Sequence, residues 1–306
     1  MDYRFRRPTQ DDLPTVLELI RALWVADGDY GDPTWFVSTL FRVTDLDRDW
    51  WLVEDAEGRL VASGCVRPRH PHRLHTLGGV LPEHRGRRIG TELRDRIEER
   101  AREQAQDAPE GEEVRLGAGV GSTNESGRRF FEARGYELIR HFWEMVIDLD
   151  EEPPRAEWPE GIRLAHARRG VDEHAVHAAS DEAFADHWDH YPTPYDEWAR
   201  WMVDTDHYDP SLWLLAWDGD EIAGLSLCDL DPDEGWVGVL GVRRPWRRRG
   251  LARALLYESF REIRERGKPR AKLGVDAANP TGATKLYESV GMRILNEELA
   301  YGLIVR

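Results

Sequence analysis

The hydrophobic positions of this chain rise and fall in two similar series, separated by one polar, proline-rich stretch. In the first series, residues 3–8 read as a short strand. Residues 9–24 repeat apolar side chains at helical spacing, with Leu13, Val16, Leu17 and Ile20 on one face and Thr9 or Asp11 as the cap. Residues 27–50 are polar and aromatic, with poor periodicity. Residues 51–55 and 59–63 then flank Ala56-Glu57-Gly58, a hairpin signal. A strand near 74–80, a helix over 91–104, a strand near 114–120, a helix over 126–133 stopped by Gly135 and a strand over 144–149 complete the series.

Residues 150–161, DEEPPRAEWPEG, combine charge with proline, as linkers do. The order then starts again. A strand is expected over 161–166, helical pieces over 171–204, and a hairpin of 212–217 with 221–228 about Asp218-Gly219-Asp220. An apolar run over 237–242, a helix opening at 251, a strand over 271–275, a helix over 281–289 ended by Gly291 and a strand over 300–305 follow. Matching features recur at an offset of about 160 residues, with Gly64 against Gly224, Arg85 against Arg247 and Gly135 against Gly291. The reading is one α/β domain repeated, over 1–150 and 161–306, with a linker at 151–160.

Composition narrows the function. A chain of 306 residues with 41% hydrophobic side chains suits two packed domains. It has no run near the ~20 apolar residues that cross a bilayer, and its start lacks the apolar stretch of a signal peptide, so a cytoplasmic protein is expected. Cys65 and Cys228 sit in strand-like runs and are expected as free buried thiols. A net charge of −16 argues against nucleic acid and anionic membranes as partners. The arginines between Arg243 and Arg249 are therefore a local exception, suited to a small phosphate ligand.

Those arginines stand where a ligand site is easily built. The run Val237–Val242 leads into Arg243-Arg244-Pro245-Trp246, then Arg247-Arg248-Arg249-Gly250-Leu251-Ala252 enters a helix. A helix start offers unpaired N–H groups and the positive end of a dipole. Small residues at Gly250 and Ala252 admit a phosphate to those groups, which makes a pyrophosphate cradle. The spacing R-x-x-G-x-A at Arg247, Gly250 and Ala252 resembles the acyl-CoA-binding motif of the GNAT acetyltransferase superfamily. Neither G-x-x-x-x-G-K-[ST] nor G-x-G-x-x-G fits here. The segment Asn279-Pro280-Thr281-Gly282-Ala283-Thr284-Lys285-Leu286-Tyr287 is similar to the family's second motif, with one residue more between asparagine and tyrosine than is commonest.

The resemblance implies an α/β (α+β) fold of two GNAT-like domains in tandem, each a mixed, mostly antiparallel sheet with flanking helices. Mycothiol synthase and its tandem relatives share that architecture. It implies acetyl-CoA as co-substrate, held by Leu240, Gly241, Val242, Arg247, Arg248, Arg249, Gly250, Leu251, Ala252, Arg253 and Asn279. It gives Tyr287 the role of acid to the departing thiolate and supports a carboxylate base. Glu234 is the favoured base, with Asp229, Asp231 and Asp233 as alternatives, against a reading of 229–234 as a solvated acidic loop. Residues 181–198, with Trp188, Trp198 and Trp236, are expected at the acceptor. His187 and His190 beside Asp186 and Asp189 have ligand-like spacing, but the family needs no metal and none is expected. In the first half, Arg88 replaces the first glycine and Phe131 replaces the tyrosine, so that half is expected to be catalytically silent. Gly90 and its helix start leave cofactor binding there open.

The function expected is N-acetylation of a primary amine on a small molecule by the C-terminal domain, in a monomer with an internal pseudo-dimer. The competing readings are acetylation of protein amines and a non-catalytic acyl-CoA-binding regulator.

Overall fold

The computed structural model describes residues 2–28, 31–279 and 281–306. It divides into two compact units, Met1–Phe142 with Asn296–Arg306, and Trp143–Leu295. The last strand of each half supplies its second part to the other unit, so the sequence boundaries near 150 and 306 are not the boundaries of the compact units. The stretch 151–160 belongs to the second unit, where the Pro154 carbonyl accepts from Arg261 and Trp158 packs on a small apolar cluster.

The first unit begins with β1 (Arg4–Arg6), α1 (Leu13–Ala26), α2 (Thr34–Val43), α3 (Leu46–Asp49) and β2 (Trp50–Glu54). β3 (Leu60–His70), β4 (Arg73–Val80), α4 (Ile89–Gln104), β5 (Arg115–Gly121), α5 (Glu125–Ala133) and β6 (Glu137–Asp148) follow. Its sheet runs β1-β2-β3-β4-β5 and is completed by Glu298–Ile304 of the final strand, antiparallel to β5. Helix α2 occupies part of the stretch without clear periodicity. Val37, Leu40 and Phe41 bury its inner side.

The second unit carries β7 (Ile162–His166), α6 (Glu173–Phe184), α7 (Tyr195–Met202), β8 (Trp213–Asp218) and β9 (Glu221–Leu230). Then come β10 (Gly235–Val242), α8 (Leu251–Glu265), β11 (Arg270–Asp276), α9 (Ala283–Ser289) and β12 (Arg293–Ile304). Its strand order is β6-β11-β10-β9-β8-β7. β7, β8, β9 and β10 are successively antiparallel, whereas β10 and β11 are parallel. That parallel step needs a crossover, and α8 supplies it.

Two faces of this sheet matter for the site. Leu251, Leu255, Ser259, Phe260 and Ile263 recur at helical spacing and bury one side of α8. At Gly235 an added Cβ would lie 2.4 Å from Ile263, so only glycine allows α8 this close. Ser226 on β9 hydrogen-bonds Ser259 of α8 at 2.7 Å, which puts the even-numbered positions of β9 on the α8 face. Because side chains alternate along a strand, Leu225, Leu227 and Asp229 point to the opposite face. Helix α6 packs there, with Ala183 3.0 Å from the Cβ position of Gly241, the partner of Leu225. Cys65 and Cys228 are both free and buried, and no described helix is long and apolar enough to cross a membrane.

Candidate active site

The site is organised by a strand that leaves its neighbour. β10 pairs with β11 only at Gly235–Ala271 and Trp236–Lys272. Beyond Trp236 it continues to Val242 against β9 alone, with a register shift between Val237 and Val239. This bulge at Gly238 turns the strand. The β11-facing edge over Leu240, Gly241 and Val242 then has no strand register opposite it, leaving room for an extended ligand arm.

After β10 comes a 3-10 turn, Arg244–Trp246, anchored by Trp246 Nε1 donating to Asp218 at 2.7 Å. The arginines that follow divide into two groups. Arg243 binds Glu182 at 2.7 Å, and Arg244 and Arg247 both bind Asp186, holding that carboxyl well below its ordinary value, at about 2. Arg247 also donates Nε to Val242 O at 3.0 Å and Nη2 to Ala183 O at 3.0 Å. Its guanidinium thus ties loop, strand and α6 together, which limits its part in holding a phosphate. Arg248 and Arg249 are exposed and have no ion-pair partner among the described residues. Arg253 is exposed on the first turn of α8 and donates to Ser289 at 3.1 Å.

Gly250 caps α8 with φ 85° and has nothing within 4 Å of a Cβ position. The N–H groups of Leu251 and Ala252 open the helix, where the chain itself offers no helical acceptor. Open space, free donors and two exposed arginines fit a pyrophosphate.

Asn279 lies between β11 and α9. Its Oδ1 accepts from Thr281 N at 2.8 Å and Thr281 Oγ1 at 2.5 Å, while Nδ2 lies 3.4 Å from His187 Nε2. Tyr287 is buried in α9, in the core cluster that also packs Val239 and Leu240. Its hydroxyl has no hydrogen-bond partner among the described residues, and burial pushes its pKa up to about 12. A phenol so placed is protonated at neutral pH and able to donate. The neighbouring Arg253–Ser289 bond sets α9 against α8.

Glu234 is buried at 8% exposure and lies 2.7 Å from Lys272 Nζ, which also lies 3.0 Å from Glu144. The carboxylate favoured as base is thus half of a buried ion pair, and protonating it would strip Lys272 of a partner. Among the alternatives, Asp229 stands apart. It pairs with Trp236 across β9 and β10, and its Oδ2 lies 3.5 Å from the Cβ position of exposed Gly238. Burial, then the nearby Asp231, raise it to about 6. Sequence proximity to β10 favoured Glu234. The signal for Asp229 was an acid closing the apolar strand Ile222–Cys228.

The expected acceptor segment lies on the α6 face. His174 stacks on Tyr195 at 3.6 Å, and Trp198 packs against His177 and Trp213 at 5.2 Å and 5.9 Å. Trp198 therefore helps fix α7 to the core, while Trp236 is part-exposed beside Gly238. Trp188 is part-exposed in the loop between α6 and α7. His187 touches Asn279 and is held below its ordinary pKa by burial, and His190 lies 3.2 Å from Asp181.

In the first unit the position that matches Tyr287 is enclosed. Phe131 is packed with Tyr136 at 5.1 Å and Tyr301 at 5.9 Å, under the Arg94 guanidinium at 4.8 Å. Arg94 also donates to Thr76 at 3.0 Å. Counted back from Val80 and Val242, Thr76 matches Gly238, but β4 keeps its register there and stays paired with β5 through Thr76.

Comparison with known proteins places the chain in a family. Residues 15–136 and 173–292 each match the Acetyltransferase (GNAT) family. A mycothiol acetyltransferase of Saccharopolyspora erythraea is 30% identical over 252 residues, covering 81% of this chain and 78% of its own. That of Streptomyces bingchenggensis is 30% identical, with 82% and 79% covered. A GCN5-related N-acetyltransferase structure from Sphaerobacter thermophilus has a TM-score of 0.84 at 34% identity, over 99% of this chain and 96% of that one. A tandem GNAT protein from the clavulanic acid biosynthesis pathway shares the fold, with a TM-score of 0.76 at 17% identity over 100% and 99%.

Proposed function

The chain belongs to the acetyltransferase (GNAT) family and is an acetyl-CoA-dependent N-acetyltransferase, and from that premise we propose that its second unit acetylates a primary amine of a small molecule. One observation carries the assignment to that unit. The splayed strand β10, the open loop at Gly250 and the unpartnered phenol of Tyr287 occur together there. The relatives named as mycothiol acetyltransferases support a small-molecule acceptor.

In this reading the first turn of α8, with Arg248, Arg249 and Arg253, takes the pyrophosphate. Backbone groups over Leu240, Gly241 and Val242 align the pantetheine arm and give the thioester oxygen an N–H as negative charge develops. Asn279 borders the arm. Tyr287 donates its proton to the sulfur as the C–S bond breaks. Phe131 has no proton to give, so the first unit serves as scaffold.

Calorimetric titration of acetyl-CoA into wild type, Gly250→Glu and Gly90→Glu tests this. One site is expected, lost in the first variant and kept in the second. Survival of the site in Gly250→Glu would overturn the assignment. CoA released by wild type from a panel of small primary amines then reads the activity.

A further inference from the structure

The acid side of the reaction has its residue, but the base side has been given to a carboxylate already paired with Lys272. β9 supplies a different one. Asp229 has no ion pair or hydrogen bond among the described residues, is part-exposed, and sits beside the bulge where β10 leaves β11. It faces the α6 side of the sheet, whereas α9, which carries Tyr287, lies against α8. The gap beyond Trp236 is thus flanked by an unpaired carboxylate on one face and an unpartnered phenol from the other. Among the described residues no cation neutralises Asp229. Asp231 adds like charge from the loop after β9, Glu234 and Lys272 satisfy each other, and α6 buries Val176, Ala179 and Ala183 with Glu173, a carboxylate already bonded to Gly170 N and Tyr208.

Resting on the second-unit acetyltransferase reading, we propose that Asp229 is the catalytic base, taking a proton from an ammonium that enters on the α6 face at the Gly238 bulge. The amine nitrogen, freed of that proton, bonds to the thioester carbon and the C–S bond breaks. Tyr287 gives its proton to the sulfur and regains one from the second proton shed by the nitrogen. Asp229 returns its own to solvent, so each turnover releases one amide, one CoA thiol and one proton. A carboxylate titrating near pH 6 is ionised at neutral pH yet basic enough to accept that proton. The substrate class follows: a primary ammonium on a compact molecule, drawn by a carboxylate beside the indole of Trp236.

The test compares wild type with Asp229→Asn and Glu234→Gln, using glucosamine, cysteamine and putrescine as amine probes and following CoA chromatographically. Asp229→Asn is expected to lose ~10²–10⁴-fold in kcat/KM, to lose the acidic limb near pH 6, and to bind acetyl-CoA as wild type does. It is also expected to melt higher than wild type above pH 6 and at the same temperature below pH 4, because the fold no longer ionises an unpaired, largely desolvated carboxylate. Glu234→Gln should melt lower at neutral pH, because Lys272 loses a partner, and keep the acidic limb. An active Asp229→Asn with an unchanged pH profile overturns the base while leaving the acetyltransferase standing. Loss of acetyl-CoA binding in that variant makes Asp229 structural and also overturns it. A wild type that releases CoA with none of the probes overturns the parent reading and this one with it.

Discussion

The two cradle loops use one backbone with glycine and arginine exchanged. In the first unit Gly86 and Arg88 have φ 74° and 67°; in the second, Arg248 and Gly250 have φ 63° and 85°. The first arginine of each loop does the same structural work. Arg85 donates Nε to Val80 O at 2.9 Å, and Arg247 donates Nε to Val242 O at 3.0 Å. What differs is the residue at the helix entrance. Glycine leaves the α8 entrance open, whereas Arg88 puts a side chain there. The contacts that hold the loop and the space that admits a ligand are therefore set by different positions, and one can be lost without the other.

The sharpest way to break this comparison is to exchange the residues that differ in chemistry. Tyr287→Phe should lower kcat by ~10²–10⁴, with acetyl-CoA affinity and melting temperature little changed, because the hydroxyl has no bond to lose. Phe131→Tyr should gain no activity, since its ring is enclosed by Tyr136, Tyr301 and Arg94. Steady-state kinetics of both variants decide the matter. A tyrosine at 131 that restored activity to Tyr287→Phe would show the first unit to be merely unarmed. The pH profile sharpens the same point. With Tyr287 near 12, the acid stays protonated as pH rises, so no alkaline limb from it is expected below pH 11.

A second contrast lies in the buried cations. Lys272 is shared by Glu234 and Glu144, so Glu234→Gln leaves a buried ammonium with one carboxylate and should cost about 1–3 kcal/mol. Arg94, at 8% exposure, bonds Thr76 and Tyr136, lies over two rings and is drawn to Glu98, yet burial dominates and lowers its pKa. By the loop offset its counterpart on α8 is Leu256, which is fully buried. Replacing a buried charge with a packed apolar side chain is often neutral or stabilising. Arg94→Leu is therefore expected to hold or raise the melting temperature, while Leu256→Arg should prevent folding. Thermal melts of the two variants check the pair.

Much of this was legible in one dimension, and the failures have physical causes. The order of elements was clear because each half repeats the alternation of strands and amphipathic helices. Helix α2 was hidden because Trp35, Phe36 and Thr39 crowd the Val37, Leu40, Phe41 stripe and mask its period. For β6 and β12 the pattern marks only 144–149 and 300–305, about half of strands that begin at Glu137 and Arg293. Their first residues are largely exposed and lack the alternation that marks a half-buried strand. In β6 they also lie before the unit boundary at 142, so the apolar pattern there marked only the part that belongs to the second unit. For the site, the cradle and Tyr287 were readable because loop and helix positions follow from local spacing. The Glu234–Lys272 pair depends on register between strands far apart in sequence, which no local pattern carries.

The smallest expected effect tests the loops directly. A non-glycine residue in the left-handed region costs ~1 kcal/mol, and Arg88 and Arg248 each bear that cost. Arg88→Gly should therefore raise stability by up to about 1 kcal/mol, less the extra freedom glycine gives the unfolded chain. Arg248→Gly should gain a similar amount, but it also removes an exposed cation from the cradle. The two substitutions thus separate backbone strain from ligand charge. If Arg248 serves the pyrophosphate, its glycine variant binds acetyl-CoA several-fold more weakly and the loss shrinks with added salt, as a screened surface charge requires. If Arg88→Gly creates a second acetyl-CoA site in a calorimetric titration, the arginine at that helix entrance is by itself what closes the first cradle. If it does not, the unbroken β4–β5 register through Thr76 and the Arg94 bond beneath it keep that unit closed from within.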